Sequence, residues 1–242
     1  MWNDIVDLQD FYGDRLGQTA RRMIRAHLRA LWPNLSGMRL LGLGYATPYL
    51  GVFRREAERV LAVMPAPMGV SPWPVHGDRL VVLADETELP FADSSIDRIL
   101  LVHALESTEH VRAMMREIWR VLAGGGRLLV VVPNRRGIWA RLDRTPMGMG
   151  RPYSSGQLVR LLRESLFLPV RESSALYLPP LQSRTLRRSA PLLENAGRRW
   201  FPTFGGVVIL EAVKQIYAAP PAGERRRASR VYVPLPQGFR RG

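Results

Sequence analysis

Five short runs in this chain are dominated by apolar residues that follow one another rather than alternate with polar ones: Arg39–Leu43, Arg59–Met64, Leu80–Leu83, Ile96–Val102 and Leu128–Val132. A strand with one wet face alternates; a strand covered on both faces does not. Between the runs lie segments with helical spacing. In Asp14–Leu31 the residues Leu16, Ala20, Met23, Ile24, His27, Leu28 and Leu31 share one face, and Pro33-Asn34 closes the segment. Tyr49–Glu58 reads as a second helix. Thr108–Leu122 is amphipathic, with Val111, Met114, Met115, Ile118, Trp119 and Leu122 on one side and Gly124-Gly125-Gly126 as its stop. Strand and helix in alternation predict an α/β fold: a doubly wound, mainly parallel sheet with helices on both faces.

After Pro133 the pattern loosens. Ser155–Leu166 and Arg184–Ala196 read as helices, Ser174–Tyr177 as a strand, and Val207–Tyr217 as the last strand. Ala219–Gly242 is rich in Pro, Gly and Arg without helical period and reads as a tail, so the expected division is one domain over 1–218 followed by 219–242. There are no cysteines among the 242 residues, which excludes disulfides, thiolate nucleophiles and Cys-ligated zinc or iron–sulfur centres. No apolar run reaches membrane-spanning length and no secretory signal is visible, so a cytoplasmic location is expected.

Charge is divided unevenly. Met1–Asn134 holds 15 basic and 15 acidic residues, whereas Arg135–Gly242 holds 20 and 6, so the whole excess of +14 lies in the second part. That asymmetry suggests an acidic partner for the basic half, whether RNA, anionic lipid or an acidic protein; a solvated face without a partner is the other reading. The single lysine, Lys214, follows Val213, which excludes a phosphate-binding P-loop.

The motifs fall in a definite order. The first strand runs into Gly42-Leu43-Gly44-Tyr45-Ala46. Asp85-Glu86-Thr87-Glu88-Leu89-Pro90-Phe91 follows the third strand, and His103-Ala104-Leu105-Glu106 follows the fourth. Glu117-Ile118-Trp119-Arg120-Val121-Leu122-Ala123-Gly124-Gly125-Gly126 leads into the fifth. A pair of glycines alone is met in many structural turns. The ordered set, over Arg39 to Asn134, resembles the class I S-adenosylmethionine-dependent methyltransferases, in particular the type 11 group. The resemblance implies a Rossmann-like sheet of seven strands with an antiparallel last strand, a cofactor-binding core over 35–134, and a basic substrate-side half over 135–218. It also implies S-adenosyl-L-methionine as cofactor and a methyl acceptor that the sequence does not name. Carried over by position, Gly42, Gly44 and Tyr45 would lie against the methionine part of the cofactor. Asp85 would accept from the adenine amino group, with the Glu86 backbone against the ring, and His103 would border the methyl-donor site. Tyr12 and the N-terminal helix would form a lid, and Tyr153 would face the acceptor.

Two positions depart from the family pattern. Leu40 stands where an acid usually precedes the glycines, and Met64 stands where an acid at the end of the second strand usually takes the ribose hydroxyls. Losing a charge-assisted hydrogen bond of about 1.5–3 kcal/mol weakens binding roughly ten- to a hundredfold. Met64, with Thr47 at the third glycine position, also breaks the dinucleotide fingerprint. His103, Glu106 and Tyr153 are the candidate bases, with His103 and Tyr153 the catalytic candidates; Glu106 also reads as a structural cap or pairing residue. A metal site from His103, Glu106, Glu109 and His110 is not expected. Three functions remain in play: a methyltransferase, a methyltransferase-fold binding or assembly partner that has lost catalysis, and an RNA-modifying methyltransferase. The enzymatic reading requires a crevice above the first and third strands that the chain's own side chains leave open.

Overall fold

The structure, a computed structural model, describes residues 2–142, 145–180, 194, 196–197 and 199–216. Seven strands form one sheet: β1 (Arg39–Gly44), β2 (Arg59–Pro65), β3 (Val81–Ala84), β4 (Ile96–Val102), β5 (Leu122–Pro133), β6 (Phe167–Ala175) and β7 (Val207–Lys214). Their order is β3-β2-β1-β4-β5-β7-β6. The first five pair in parallel, and β7 runs antiparallel to both β5 and β6. Strand order reverses between β1 and β4, which is where such sheets hold ligands beyond the strands' carboxyl ends.

The uninterrupted apolar runs are explained by two cores, one on each face. Leu40, Leu100, Val102, Leu129 and Val131 belong to one, while their neighbours Leu41, Leu43, Ile99, Leu101, Leu128 and Val130 belong to the other. Successive side chains of a strand point to opposite faces, so every position of a doubly covered strand must be apolar. Helices α1 (Ile5–Gly13) and α2 (Arg15–Leu31) cover the first face through Leu8, Tyr12, Leu16, Ala20, Ile24 and Leu28. Helices α4 (Val111–Val121) and α5 (Ser155–Glu164) cover the second through Met114, Met115, Ile118, Leu158 and Leu162. Asp14 closes α1 and opens α2: its backbone N–H reaches Asp10 and Phe11, and its carboxylate accepts from the Leu16 N–H. Ser154 and Gln157 form a capping box that fixes the start of α5.

Three expected elements differ from those observed. The second helix is the single turn α3 (Thr47–Leu50), followed by turns. Gly51 is a poor helix former, and the Glu56 carboxylate is held outside any helix by Arg29, at 2.5 and 2.8 Å, and by the Leu35 N–H. The Gly124–Gly126 segment lies within β5, which begins directly after α4. The strand expected at Ser174–Tyr177 is β6, seven residues earlier in its start; its outer residues Arg171 and Glu172 hide the apolar pattern, and Pro169 sits at a register shift on this edge strand. Most of the helix expected at Arg184–Ala196, and all of the 219–242 tail, lie outside the described residues.

One buried charge ties the end of α2 to the sheet. Glu211, fully buried on β7, accepts from the Trp32 indole N–H at 2.8 Å, Arg127 at 3.1 Å and Arg171 at 2.6 Å. Burial alone pushes this carboxyl up, but the three donors outweigh it and hold it below its ordinary value. The tie therefore acts in full above the ordinary carboxylate range and is lost as pH falls through the lowered value. Glu211→Gln is expected to lower unfolding free energy by about 1–3 kcal/mol at neutral pH. Denaturant titrations across pH should show that deficit shrinking in acid; a deficit independent of pH would contradict the assignment.

Candidate functional site at the carboxyl ends of the strands

β1 leaves the sheet through Gly44, whose φ of +81° lies in the left-handed region. A Cβ there would collide with the Val102 carbonyl and sit 2.8 Å from Ala104 Cβ, so the chain can turn this close to β4 only with glycine. The Tyr45 N–H then donates to the Val102 carbonyl at 2.8 Å. A Cβ on Gly42 would come within 2.7 Å of Leu50 and 2.8 Å of Ala46. Both glycines thus have packing reasons within the chain itself.

β4 ends at Val102, and the next residue, His103, also adopts a left-handed φ, +51°. Positive φ is uncommon outside glycine, although histidine, like Asn and Asp, adopts it more readily than most residues. His103 is held at both ring nitrogens: Nε2 lies 2.7 Å from the Tyr12 hydroxyl and Nδ1 lies 3.2 Å from Glu106 Oε1. The Tyr49 hydroxyl donates to Tyr12 at 2.9 Å, leaving the Tyr12 proton for His103. Nε2 therefore accepts, and Nδ1–H donates to Glu106. Glu106 Oε2 is buried without a partner. Burial foremost, with the neighbouring Tyr49, pushes the Tyr12 phenol well above its ordinary value, so it remains a protonated donor.

The other expected site residues gather around this chain unequally. Asp85 is exposed at the end of β3, and its Oδ1 takes both the N–H and the hydroxyl of Thr87 at 2.7 Å, which hold its carboxyl below the ordinary value. The Glu86 side chain turns inward and accepts from Thr108 at 2.9 Å, linking the exit of β3 to the loop after β4. Tyr153 sits beside the exit of β5, where its N–H donates to the Pro133 carbonyl at 3.0 Å. Burial and then the field of Glu106 raise its phenol. Met64 is fully buried in the core with Ile5 and Leu8, and its sulfur takes the Ser71 N–H at 3.4 Å. It offers no acceptor to a sugar.

Tyr12 lines two spaces. Outside it lies an open cleft of about 420 Å³, bounded by Gln9, Arg21, Tyr45, Thr47, Ser71 and Trp73 among others. Inside it lies a void of about 10 Å³, bounded by His103, Glu106, Val132, Met147 and Val207 among others, roughly room for one water. The crevice that the enzymatic reading requires is therefore open in its outer part and filled by Tyr12 at its inner end. Tyr49, Thr108, Ser71 and Trp73 belong to this region without having stood out in the sequence.

The sheet order, the turn at Gly44 and the left-handed residue after β4 define a class I methyltransferase fold. Residues 41–130 match the methyltransferase domain family of type 11. A demethylmenaquinone methyltransferase of Corynebacterium efficiens is 28% identical over 130 residues, 54% of this chain and 56% of that protein. The chain spans about half the length of the curated relatives it matches. Among solved structures, the methyltransferase bound to the Haloferax volcanii Trm112 activator superposes with a TM-score of 0.63 at 19% identity, over 89% of this chain and 100% of that one. The Burkholderia thailandensis 1,6-didemethyltoxoflavin-N1-methyltransferase, solved with its namesake ligand and S-adenosylhomocysteine, gives 0.52 at 18%, over 81% and 78%. Over residues 41–130 the chain is thus similar to the class I S-adenosylmethionine-dependent methyltransferases, whose cofactor is S-adenosyl-L-methionine.

The residues present fit that cofactor at its two ends. Asp85 is exposed with Oδ2 outside its turn, suited to an amino group, and the orphaned Glu106 Oε2 is an acceptor left over beside His103. At the sugar they supply no acid, because Met64 is committed to the core.

Tyr12→Phe removes the central link and leaves both the Tyr49 hydroxyl and His103 Nε2 without their partner. Its expected cost is about 1–3 kcal/mol of stability, read by urea unfolding against Phe11→Leu as a control on the same helix. A Tyr12→Phe protein as stable as the parent would show that the chain of bonds contributes nothing.

Proposed function

We propose that this protein is a methyltransferase that uses S-adenosyl-L-methionine, and that its reaction centre is His103. The carrying observation is the placement of that side chain. It sits just past β4 at the point of strand reversal, its backbone is left-handed, Glu106 orients one ring nitrogen, and the other faces a hydroxyl. When bound, the cofactor supplies an electrophilic methyl group. Asp85 and the Glu86 backbone would hold its adenine, Gly42, Gly44 and Tyr45 would follow its methionine part, and Met64 would pass beneath the sugar without anchoring it.

The chain's own contribution is positioning and proton handling. Nε2 of His103 accepts a proton from an acceptor hydroxyl or amine that takes the place of Tyr12. Glu106 fixes the tautomer and steadies the charge that then develops on the ring. Tyr153, at the exit of β5, borders the same loop and is the second candidate at the acceptor. Withdrawal of Tyr12 with α1 joins the inner void to the outer cleft, which is the lid role of that helix. Among the described residues no helix is long and apolar enough to cross a membrane. A cytoplasmic location and an acidic partner for the basic half belong to this reading; the same half would suit an RNA acceptor.

A second reading, a methyltransferase fold kept for binding or assembly, is favoured by the burial of Met64 and by Tyr12 filling the inner end. Calorimetry with S-adenosylmethionine and S-adenosylhomocysteine separates the two. Saturable heat, with binding weakened roughly tenfold in Asp85→Ala by loss of one charge-assisted bond, is the expected result. No heat with either ligand at high concentration would leave the binding-partner reading.

A further inference from the structure

An apolar surface stands uncovered where β5 leaves the sheet and β7 enters it. Pro133, the last residue of β5, pairs with Val207, the first of β7, so the segments 134–153 and 199–206 meet at the carboxyl ends of the parallel strands. Asn134 fastens one segment to the other: its amide donates to the Thr203 carbonyl at 2.9 Å and to the Gly205 carbonyl at 2.7 Å. A Cβ on Gly137 would come within 2.6 Å of that same Gly205 carbonyl. Trp139 turns inward, where its indole donates to the Leu178 carbonyl at 2.7 Å. Ile138, Leu142, Met149, Trp200, Phe201 and Phe204 stay outside. Trp200 is 72% exposed and Phe201 62%, whereas large aromatic side chains are ordinarily well covered. Apolar side chains gathered in this way at one place mark a contact surface.

The same segments carry arginines and no acid. Arg136, Arg141, Arg151 and Arg199 each stand next to, or two residues from, one of those apolar side chains, and all four are exposed. Among the described residues of 134–153 and 199–206 there is no Asp or Glu, and none of these arginines is ion-paired. Elsewhere the chain neutralises arginines closely: Arg29 with Glu56, Arg39 with Asp97, Arg120 with Glu117 and Asp93, and Arg127 and Arg171 with Glu211. Apolar side chains interleaved with free guanidinium groups match a layer of anionic headgroups over hydrocarbon: the first enter the boundary, the second meet phosphate oxygens. Tryptophan, with an apolar ring and one donor, suits that boundary. RNA would engage the cations and the aromatic faces, but it offers Ile138, Leu142 and Met149 nothing to enter.

We propose that this end of the sheet docks on an anionic phospholipid surface, with the exposed apolar side chains in the headgroup layer and the four arginines on lipid phosphates. The proposal rests on the reading of an acidic partner for the basic half and names that partner as a membrane. Contact of this kind is peripheral and needs no crossing helix. In this orientation the exit of β5, with Tyr153, is turned toward the lipid.

The full chain is mixed with vesicles of phosphatidylcholine, alone or with about one third phosphatidylglycerol, and binding is read by flotation and by tryptophan emission. The expected result is saturable binding to the anionic vesicles, roughly tenfold or more tighter than to the neutral ones and weakened by added salt, with the emission moving to the blue. Trp200→Ala/Phe204→Ala and Arg136→Ala/Arg141→Ala, all at exposed positions, should each lose about tenfold or more in affinity. The aromatic variant should also lose the emission shift. Arg59→Ala/Arg163→Ala removes the same charge at the opposite end of the sheet, where β2 begins and α5 leads into β6, and should bind as the parent does. Equal binding to both kinds of vesicle, no binding to either, an unaffected aromatic variant, or an equal loss in the Arg59/Arg163 pair would each overturn the proposal. Binding to a single-stranded RNA oligonucleotide without binding to vesicles would overturn it too, while keeping an acidic partner. S-adenosylmethionine is titrated in parallel. Cofactor binding without vesicle binding removes this surface and keeps the methyltransferase reading, and vesicle binding without cofactor binding does the reverse.

Discussion

The hydrogen bond between the Tyr12 hydroxyl and His103 Nε2 joins the two parts of the molecule on which the site depends. One part is rigid: β1 and β4, packed so closely that Gly44 touches the Val102 carbonyl and His103 is driven into a left-handed conformation. The other is α1, a nine-residue helix that reaches the sheet through Ile5, Leu8 and Tyr12. The bond selects the His103 tautomer, and through it the Glu106 contact. It also decides whether the inner void and the outer cleft are one space or two. Packing of apolar surface builds the scaffold, but this short polar chain gives the crevice its chemistry.

The scaffold and the site are stabilised differently. Both faces of the sheet are covered, so each central strand contributes to two cores. Glu211 adds a buried charge with three donors, far from the crevice, linking α2 and three of the strands. At the crevice a left-handed histidine and an orphaned carboxyl oxygen stand side by side.

The fold was legible because a doubly covered strand has a simple signature; four of the five apolar runs are such strands, while the third, β3, lies at the sheet edge with Val82 and Leu83 exposed. Val207–Lys214 also stood out as a β-prone run. The edge strand β6 was obscured because one of its faces is wet and Pro169 interrupts it, and α3 was overestimated because helical spacing cannot reveal that Glu56 is claimed by Arg29. At the site, His103 and Asp85 were legible by their place after strands. Tyr49, Ser71, Thr108 and Trp73 were not, because each earns its place only through contacts with residues distant in sequence. Met64 was legible as a missing acid, yet its burial among Ile5 and Leu8 was beyond any spacing rule. Among the described residues, the unpaired arginines after β5 show the same limit: in a chain so rich in arginine, composition does not tell which ones lack a carboxylate.

The account turns on one placement, that of the cofactor beside His103 in the space Tyr12 now fills. The most direct measurement is nitrogen NMR of the His103 ring in the full chain, assigned with a His103→Asn variant, while S-adenosylhomocysteine is added. The account predicts that the two ring nitrogens shift together with saturation as the Tyr12 bond is exchanged and the Glu106 contact is kept. A bound ligand that leaves both His103 nitrogens unmoved would place it elsewhere and contradict the account.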